Sequence, residues 1–391
     1  MTKQTLGSNP FTPRSGHEPK VFLGREAELA LFSKHLAGAM QKRYDHFVVL
    51  GGWGTGKTTL LKEYRKQAQA QGILTSFVSV HEFAGNDLSA PVSHLLTQTT
   101  RTLPIKFSRL KRFAKYLQGV GITLPIVGGG IQIGEKKKFD GDPQVVLLEG
   151  LLQLWQELKR ETDALVVLLD DVQYYDNVPQ FLGILKNVLS DDDIARKTGY
   201  LFVLASTHEG WSSFLHKNNP IGRYFSPIVT IQNFSKPNTL HIVEETLKGS
   251  GVVFAKGTTE AVYDYTEGHP YQLQILCYYL YENQIEGRVG EGQLNTAIIE
   301  TLDNLGPVIL DALYHRASNQ EKAVLQSMSV DYRTYSFDGI RKQLKVSRIS
   351  PGKGALATML SRLSEKGLLI KPGRGQYRVL NRLFHEFLKR Q

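Results

Sequence analysis

Cysteine is almost absent: Cys277 is the one among 391 residues. No disulfide can close within the chain, and a reducing, cytoplasmic setting is the expectation. Long apolar runs are also lacking. The longest near the middle, 164-ALVVLL-169, falls far short of the roughly 20 residues that span a bilayer, so no membrane partner is expected. The opening stretch MTKQTLGSNPFTPRSGHEP is polar and proline-rich, without the charged-then-apolar order of a secretory leader. The histidines show no paired spacing for a transition metal, and nothing points to a Ser-His-Asp nucleophile system. Internal repeats and low-complexity tracts are missing too, which argues against a stacked sensor array.

What is present is an ordinary globular composition with unevenly placed charge. The net charge is +10. Residues 316–391 hold 16 Lys+Arg against 5 Asp+Glu, a net of +11, which leaves −1 for residues 1–315. Within that first part, residues 101–142 hold 9 basic and 3 acidic residues. Positive charge gathered in one terminal segment suits a polyanion, most often nucleic acid; by charge alone it equally suits a merely soluble surface.

Residues 1–20, with Pro10, Pro13 and Pro19, read as an extended arm. A helix follows from Glu26, with Leu29, Phe32, Leu36 and Met40 at helical spacing. Strands at 46–50, 73–80, 164–170, 199–206 and 228–231 then alternate with helices over 57–71, 88–100, 144–160 and 177–189. Such alternation argues for a parallel sheet with crossover helices in residues 21–233. Inside it, about 101–142 reads as an insertion. A basic amphipathic helix (106–117) sets Lys106, Arg109, Arg112 and Lys115 along one edge. A hairpin over 121–138 follows, with Ile122, Leu124, Ile126, Ile131 and Ile133, and ends in Lys136–Lys138. DNA and a protein partner both fit this insertion. Residues 234–315 read as helical only, and 316–391 as three short helices and a hairpin.

The stretch 47-FVVLGGWGTGKTTLL-61 carries the clearest chemistry. Gly51, Gly56, Lys57 and Thr58 fill the pattern G-x-x-x-x-G-K-[ST], between a predicted strand and a predicted helix. Glycines let the loop turn tightly, so that backbone N–H groups from Gly51, Gly52, Trp53, Gly54, Thr55, Gly56 and on to Thr59 can face phosphate oxygens. The helix start adds its positive dipole end. Lys57 places charge on the β- and γ-phosphates, and the Thr58 hydroxyl suits Mg²⁺. The expected ligands are therefore ATP or ADP with Mg²⁺. Strand 164–170 ends in two carboxylates. Asp170 would orient the metal, and Asp171 would accept a proton from the attacking water. The next strand ends in Ser206 and Thr207, polar groups suited to the γ-phosphate or to the attacking water.

The order FLGREAEL (22–29), GGWGTGKTTL, LLDDVQ, a polar strand end and then GHP (268–270) resembles AAA+ and STAND-type P-loop ATPases. The resemblance covers nearly the whole chain. It leans toward the bacterial and archaeal ATPases related to origin-recognition initiators. It implies that Val21, Phe22 and Arg25 border the adenine. It also implies that Arg223 is an arginine finger for a neighbouring subunit, and so a homo-oligomer. Where many relatives carry a sensor arginine, this chain has His269-Pro270, as STAND relatives do, which favours a slow switch over a motor. His269 also fits a simple helix-start role.

In the basic end, Ser318 and Glu321 form a capping box before one helix, and 336–344 is a second. A third, over 352–369, shows Leu356, Met359, Leu360 and Leu363 on one face and Lys353, Thr358, Arg362 and Lys366 on the other. Two strands joined by Pro-Gly-Arg-Gly follow, with Lys371, Arg374 and Arg378. This succession reads as a winged helix. On double-stranded DNA its third helix would enter the major groove, and Arg374 would reach phosphate or the minor groove. The same module also serves for protein contacts.

The expectation is an α/β P-loop NTPase parallel sheet of AAA+ type, then an all-α lid (234–315) and a winged-helix domain (316–391). Its expected activity is ATP binding with slow hydrolysis, switching DNA binding and assembly. The alternatives are a STAND-type signalling switch, or an accessory ATPase of a mobile element or defence system, with a protein partner. A small-molecule kinase is disfavoured, because no second substrate-lid signature is present and the basic end would be left unexplained.

Overall fold

The computed structural model describes residues 7–13, 17–43, 45–83, 87–104, 110–122, 139–217, 221–346 and 351–391. The chain forms two compact units: Arg25–Gln232, and Met1–Gly24 together with Asn233–Gln391.

The first unit is built on β1 (Phe47–Leu50), β2 (Leu74–Ser79), β3 (Leu165–Asp170), β4 (Tyr200–Ser206) and β5 (Ile228–Thr230). Their order is β2-β3-β4-β1-β5, and every pairing is parallel. The three inner strands are buried along their whole length. That is why they read as continuous apolar runs rather than alternating ones. Val48, Leu50, Val167, Leu169, Phe202 and Leu204 belong to one core, closed by helices Ser89–Arg101, Pro143–Leu158 and Gln180–Leu189. On the other face, Phe32 of helix Glu26–Met40 stacks on Tyr64 of helix Lys57–Ala70 at 4.4 Å, and Phe47 meets Tyr64 edge-on. Leu50 is in register with Ser206, and Ser79 with Asp170. The polar strand ends therefore line one edge of the sheet, where ligands bind in open parallel sheets.

Of the expected insertion, helix Lys111–Gly119 is described, with Arg112 and Lys115 on it and Phe113 and Leu117 buried. Ile122 is buried as well. Lys106, Arg109 and the hairpin from residue 123 to Lys138 lie outside the described residues. Two short helices, Asp192–Lys197 and His208–Lys217, have no counterpart in the sequence reading.

The second unit has its own core, shared by residues from Phe11 to Leu388. Helices Lys236–Leu247, Lys256–Thr266, Pro270–Glu282 and Glu291–Leu305 form its first part. The expectation of an all-α segment here is corrected by a parallel ribbon of β6 (Val253–Phe254) and β7 (Arg288–Val289). Two residues per strand are too few to show a period of two, so pattern reading passed over them. Its second part holds helices Asn319–Ser327, Phe337–Val346 and Lys353–Glu365. With them is an antiparallel sheet of β8 (Tyr335–Ser336), β9 (Leu369–Gly373) and β10 (Gln376–Val379), in the order β8-β10-β9. The capping box is present: Ser318 N donates to Glu321 Oε2 (2.7 Å), and Glu321 N to Ser318 Oγ (3.3 Å). The chain does not stop at the hairpin. Helix Arg382–Leu388 follows, capped by Asn381, and buries Leu383, Phe384, Phe387 and Leu388.

Candidate functional site

β1 runs into the glycine loop, and helix Lys57–Ala70 leaves it. Gly56 precedes the helix at φ +95°, a left-handed conformation that favours glycine. Lys57 is 8% exposed, and its ammonium donates to Gly51 O and Gly52 O at 3.0 Å each, lying across the loop's mouth. Burial pulls its pKa down, while Asp171, Asp170 and Glu209 pull it back up. Thr55 Oγ1 donates to Gly52 O at 2.8 Å and braces the loop from inside. Gly52 and Trp53 are exposed, and Gly54 takes φ +71°. Thr59 lies half-buried in the first helical turn.

The carboxylates meet this loop from β3. Thr58 Oγ1 donates to Asp170 Oδ2 at 2.6 Å, joining the loop's helix to the strand end. Asp170 is 3% exposed. Burial and the neighbouring Asp171 push its carboxyl up to about 6, against the pull of the Thr58 hydroxyl and Lys57. A hydroxyl and a carboxylate side by side are a hard-oxygen donor set of the kind Mg²⁺ uses, with water filling the rest of its shell. A cation here would also offset the repulsion between the paired carboxylates. The residues fit the ion. Among the described residues no group of three or more His, Cys, Asp or Glu side chains is arranged to hold a metal ion.

The raised Asp170 pKa has a stability consequence in metal-free protein. The folded value lies above the ordinary 3.8, so the group contributes stability below that value and loses it as pH rises through about 6. Asp170→Asn is therefore expected to stabilise the metal-free chain near about pH 7.5 by roughly 1–3 kcal/mol. Near about pH 4 the gain should vanish. Thermal melts in chelator at the two pH values measure it.

Asp171 has left-handed backbone (φ +60°), unusual for a residue other than glycine. Its Oδ1 accepts from Gln173 Nε2 at 2.8 Å, and Gln173 Oε1 accepts from Thr207 N at 3.3 Å. Thr207 Oγ1 in turn accepts from Gly210 N at 3.1 Å. Nothing in the sequence pattern marks Gln173 for this bridge.

Arg25 is 6% exposed; its Nη2 donates to Thr55 O (3.3 Å) in the loop and to Gln232 O (2.8 Å) beyond β5. It also pairs with Glu28 at 3.6 Å. These contacts tie the phosphate loop to the sheet's edge. Arg223 is exposed on the four-residue helix Ile221–Tyr224. Val21, Phe22, His269 and Pro270 belong to the second unit. His269 caps helix Pro270–Glu282, its Nδ1 accepting from Gln272 N at 3.4 Å, with Pro270 at the first helical position.

Of the six basic side chains expected to face DNA, Lys353, Arg362, Lys371 and Arg374 are exposed. The other two are engaged inside the unit. Lys366 Nζ donates at 2.6 Å to Glu321, which is 1% exposed. Arg378 pairs with Glu267, its Nη2 donating to Oε2 at 2.8 Å, and donates to Tyr332 Oη at 2.5 Å. Lys342 and Lys345, not singled out before, are exposed on helix Phe337–Val346. Lys366→Ala leaves a buried carboxylate without its cation. We expect it to destabilise the second unit by about 2 kcal/mol, read as a lower unfolding midpoint in denaturant.

A glycine loop with lysine and threonine, set against paired carboxylates on the C-terminal edge of a parallel sheet, defines a P-loop nucleotide-binding core. Residues 21–191 match the model of the AAA ATPase domain. A Walker-type ATPase of Pyrococcus abyssi shares the fold at a TM-score of 0.62 and 15% identity, over 96% of this chain and 98% of that one. The ORC2 protein of Aeropyrum pernix, as its ADPNP–ADP complexes, aligns at 0.62 and 17% identity over 97% of each chain; its ADP form aligns at 0.56. No match is found among curated proteins. No helix among the described residues is long and apolar enough to cross a membrane.

Proposed function

We propose that this chain binds ATP with Mg²⁺ on its first unit, hydrolyses it slowly, and uses the nucleotide's state to switch double-stranded DNA binding by its second unit. The observation that carries the reading is the convergence of Lys57, Thr58, Asp170 and Asp171 on one sheet edge, joined by the Thr58–Asp170 hydrogen bond. Mg²⁺ would supply charge neutralisation on the phosphates. Thr58 and Asp170 would hold it. Lys57 would leave the loop carbonyls for the β- and γ-phosphate oxygens. Asp171 would take a proton from water as the new P–O bond forms and the β–γ bridge breaks, giving ADP and phosphate. Arg223 would be offered to a second copy of the chain.

In this reading residues 234–315 are the lid and 316–391 a winged helix. Support for DNA comes from the net of +11 in that segment and from four exposed basic side chains on its third helix and hairpin. A protein partner for the same surface is the competing outcome.

The nucleotide step is tested by emission. Trp155 and Trp211 are 4% and 2% exposed, whereas Trp53, in the loop, is 48% exposed. Adding Mg-ATP is expected to change the emission of wild type but not of Trp53→Phe. Lys57→Ala should require at least about 100-fold more ATP for the same change. An unaltered signal in wild type together with no phosphate release would overturn the reading.

A further inference from the structure

We propose that Gln173 is a positioning residue for ATP turnover, one that sets the Asp171 carboxylate and fastens it to the end of β4. This rests on Asp171 acting on the attacking water, as proposed above. Gln173 lies in the 3₁₀ turn Val172–Asn177, which begins immediately after Asp171. Both ends of its amide are used: Nε2 donates to Asp171 Oδ1 at 2.8 Å, and Oε1 accepts from Thr207 N at 3.3 Å. Only a side chain with a donor and an acceptor at one tip can bridge a carboxylate and an N–H group. Glutamate has no proton to give, and asparagine is one methylene short.

The surroundings are built for this bridge. The left-handed backbone of Asp171 (φ +60°) removes it from ordinary strand geometry, so a second contact is needed to fix its direction. The same turn is fastened to helix His208–Lys217 by Asp176, whose Oδ1 accepts from Ser213 Oγ at 2.7 Å and from Lys217 Nζ at 2.6 Å. Gly210, in that helix, makes room: a Cβ there would stand 2.4 Å from Gln173 Cβ and 3.1 Å from Thr207 Oγ1. With Oδ1 held by Gln173, the Oδ2 atom has no hydrogen-bond partner among the described residues. It is the oxygen left to receive the proton. The carboxylate after β3 and the polar end of β4 are therefore joined through one side chain.

The test uses the full chain as wild type, Gln173→Ala, Gly210→Ala, Asp171→Asn and the Asp171→Asn/Gln173→Ala double variant. Phosphate release at saturating Mg-ATP is compared with affinity for a fluorescent ATP analogue. Gln173→Ala and Gly210→Ala should each lower turnover about 10- to 100-fold, the cost of a misplaced reacting group. Nucleotide affinity should stay within about threefold, since the loop N–H groups and Lys57, which hold the phosphates in the proposed reading, are left in place. In the Asp171→Asn background, removing Gln173 should change residual turnover by less than about twofold, because the two act through one group. Gly210→Ala keeps every polar group but crowds Gln173 Cβ at 2.4 Å, so unaltered affinity for the ATP analogue serves in each single variant as the sign that the site has folded, and turnover is read beside it.

Turnover near wild type in both single variants would overturn the inference while leaving the ATPase reading intact. So would a Gln173→Ala loss that persists in full without Asp171. Wild-type turnover in Asp171→Asn, or no turnover in wild type, would instead remove the assignment on which the inference rests.

Discussion

Asp171→Asn is expected to lower ATP turnover roughly 1000-fold, the range for loss of a positioned base, with ATP affinity held within about threefold. The two parts of the result come from different places in the site. In the proposed reading affinity would be set by the loop N–H groups, Lys57 and the Thr58–Asp170 pair, none of which the substitution disturbs. Asparagine also keeps an oxygen for Gln173 Nε2, so the turn after β3 should hold its shape. What it cannot do is take a proton. Phosphate release and nucleotide titration on one preparation separate the two effects. A variant that hydrolyses normally would place the base elsewhere.

The second large effect concerns the basic surface. Reversing Lys353, Arg362, Lys371 and Arg374 together to Glu should weaken duplex binding at least about 1000-fold at moderate salt. The slope of log affinity against log salt should also flatten by about 3 to 4, one step per lost phosphate contact. These four are exposed, so the fold should survive. Lys366 and Arg378 are left out on purpose: their charges are paired with Glu321 and Glu267, and losing them would confound stability with binding. An unchanged affinity would mean that the duplex lies elsewhere or that this surface meets protein.

Much of this architecture could be read before any coordinates, where local chemistry dictates local structure. The P-loop is one such case: a tight turn, a helix start and a lysine must occur at fixed spacing to hold phosphate, so the motif and its strand–helix context arrive together. The Ser318–Glu321 capping box is another, because both hydrogen bonds close within one turn. What escaped was non-local. Nothing in the sequence pattern places β4 between β1 and β3, since β1 pairs with a strand more than a hundred residues further on. The Arg25 contacts to Thr55 O and Gln232 O are of this kind, since Gln232 lies 207 residues further on. Lys366 and Arg378 looked like free cations because their acidic partners lie 45 and 111 residues away. Gln173 stood in plain view in LLDDVQ, but its role depends on Thr207 and Gly210, which only the sheet brings near.

The most direct test of the nucleotide-operated switch is fluorescence anisotropy of a duplex of about 30 base pairs, long enough for the contacts expected of one or two such modules. Wild type is titrated with Mg-ATP, with Mg-ADP, and as Lys57→Ala, across a salt series. The account predicts affinity that falls steeply with salt and differs between ATP and ADP, with Lys57→Ala insensitive to either nucleotide. Affinity identical in all three states would contradict the switch, and no duplex binding in any of them would assign the second unit's basic surface to a protein partner.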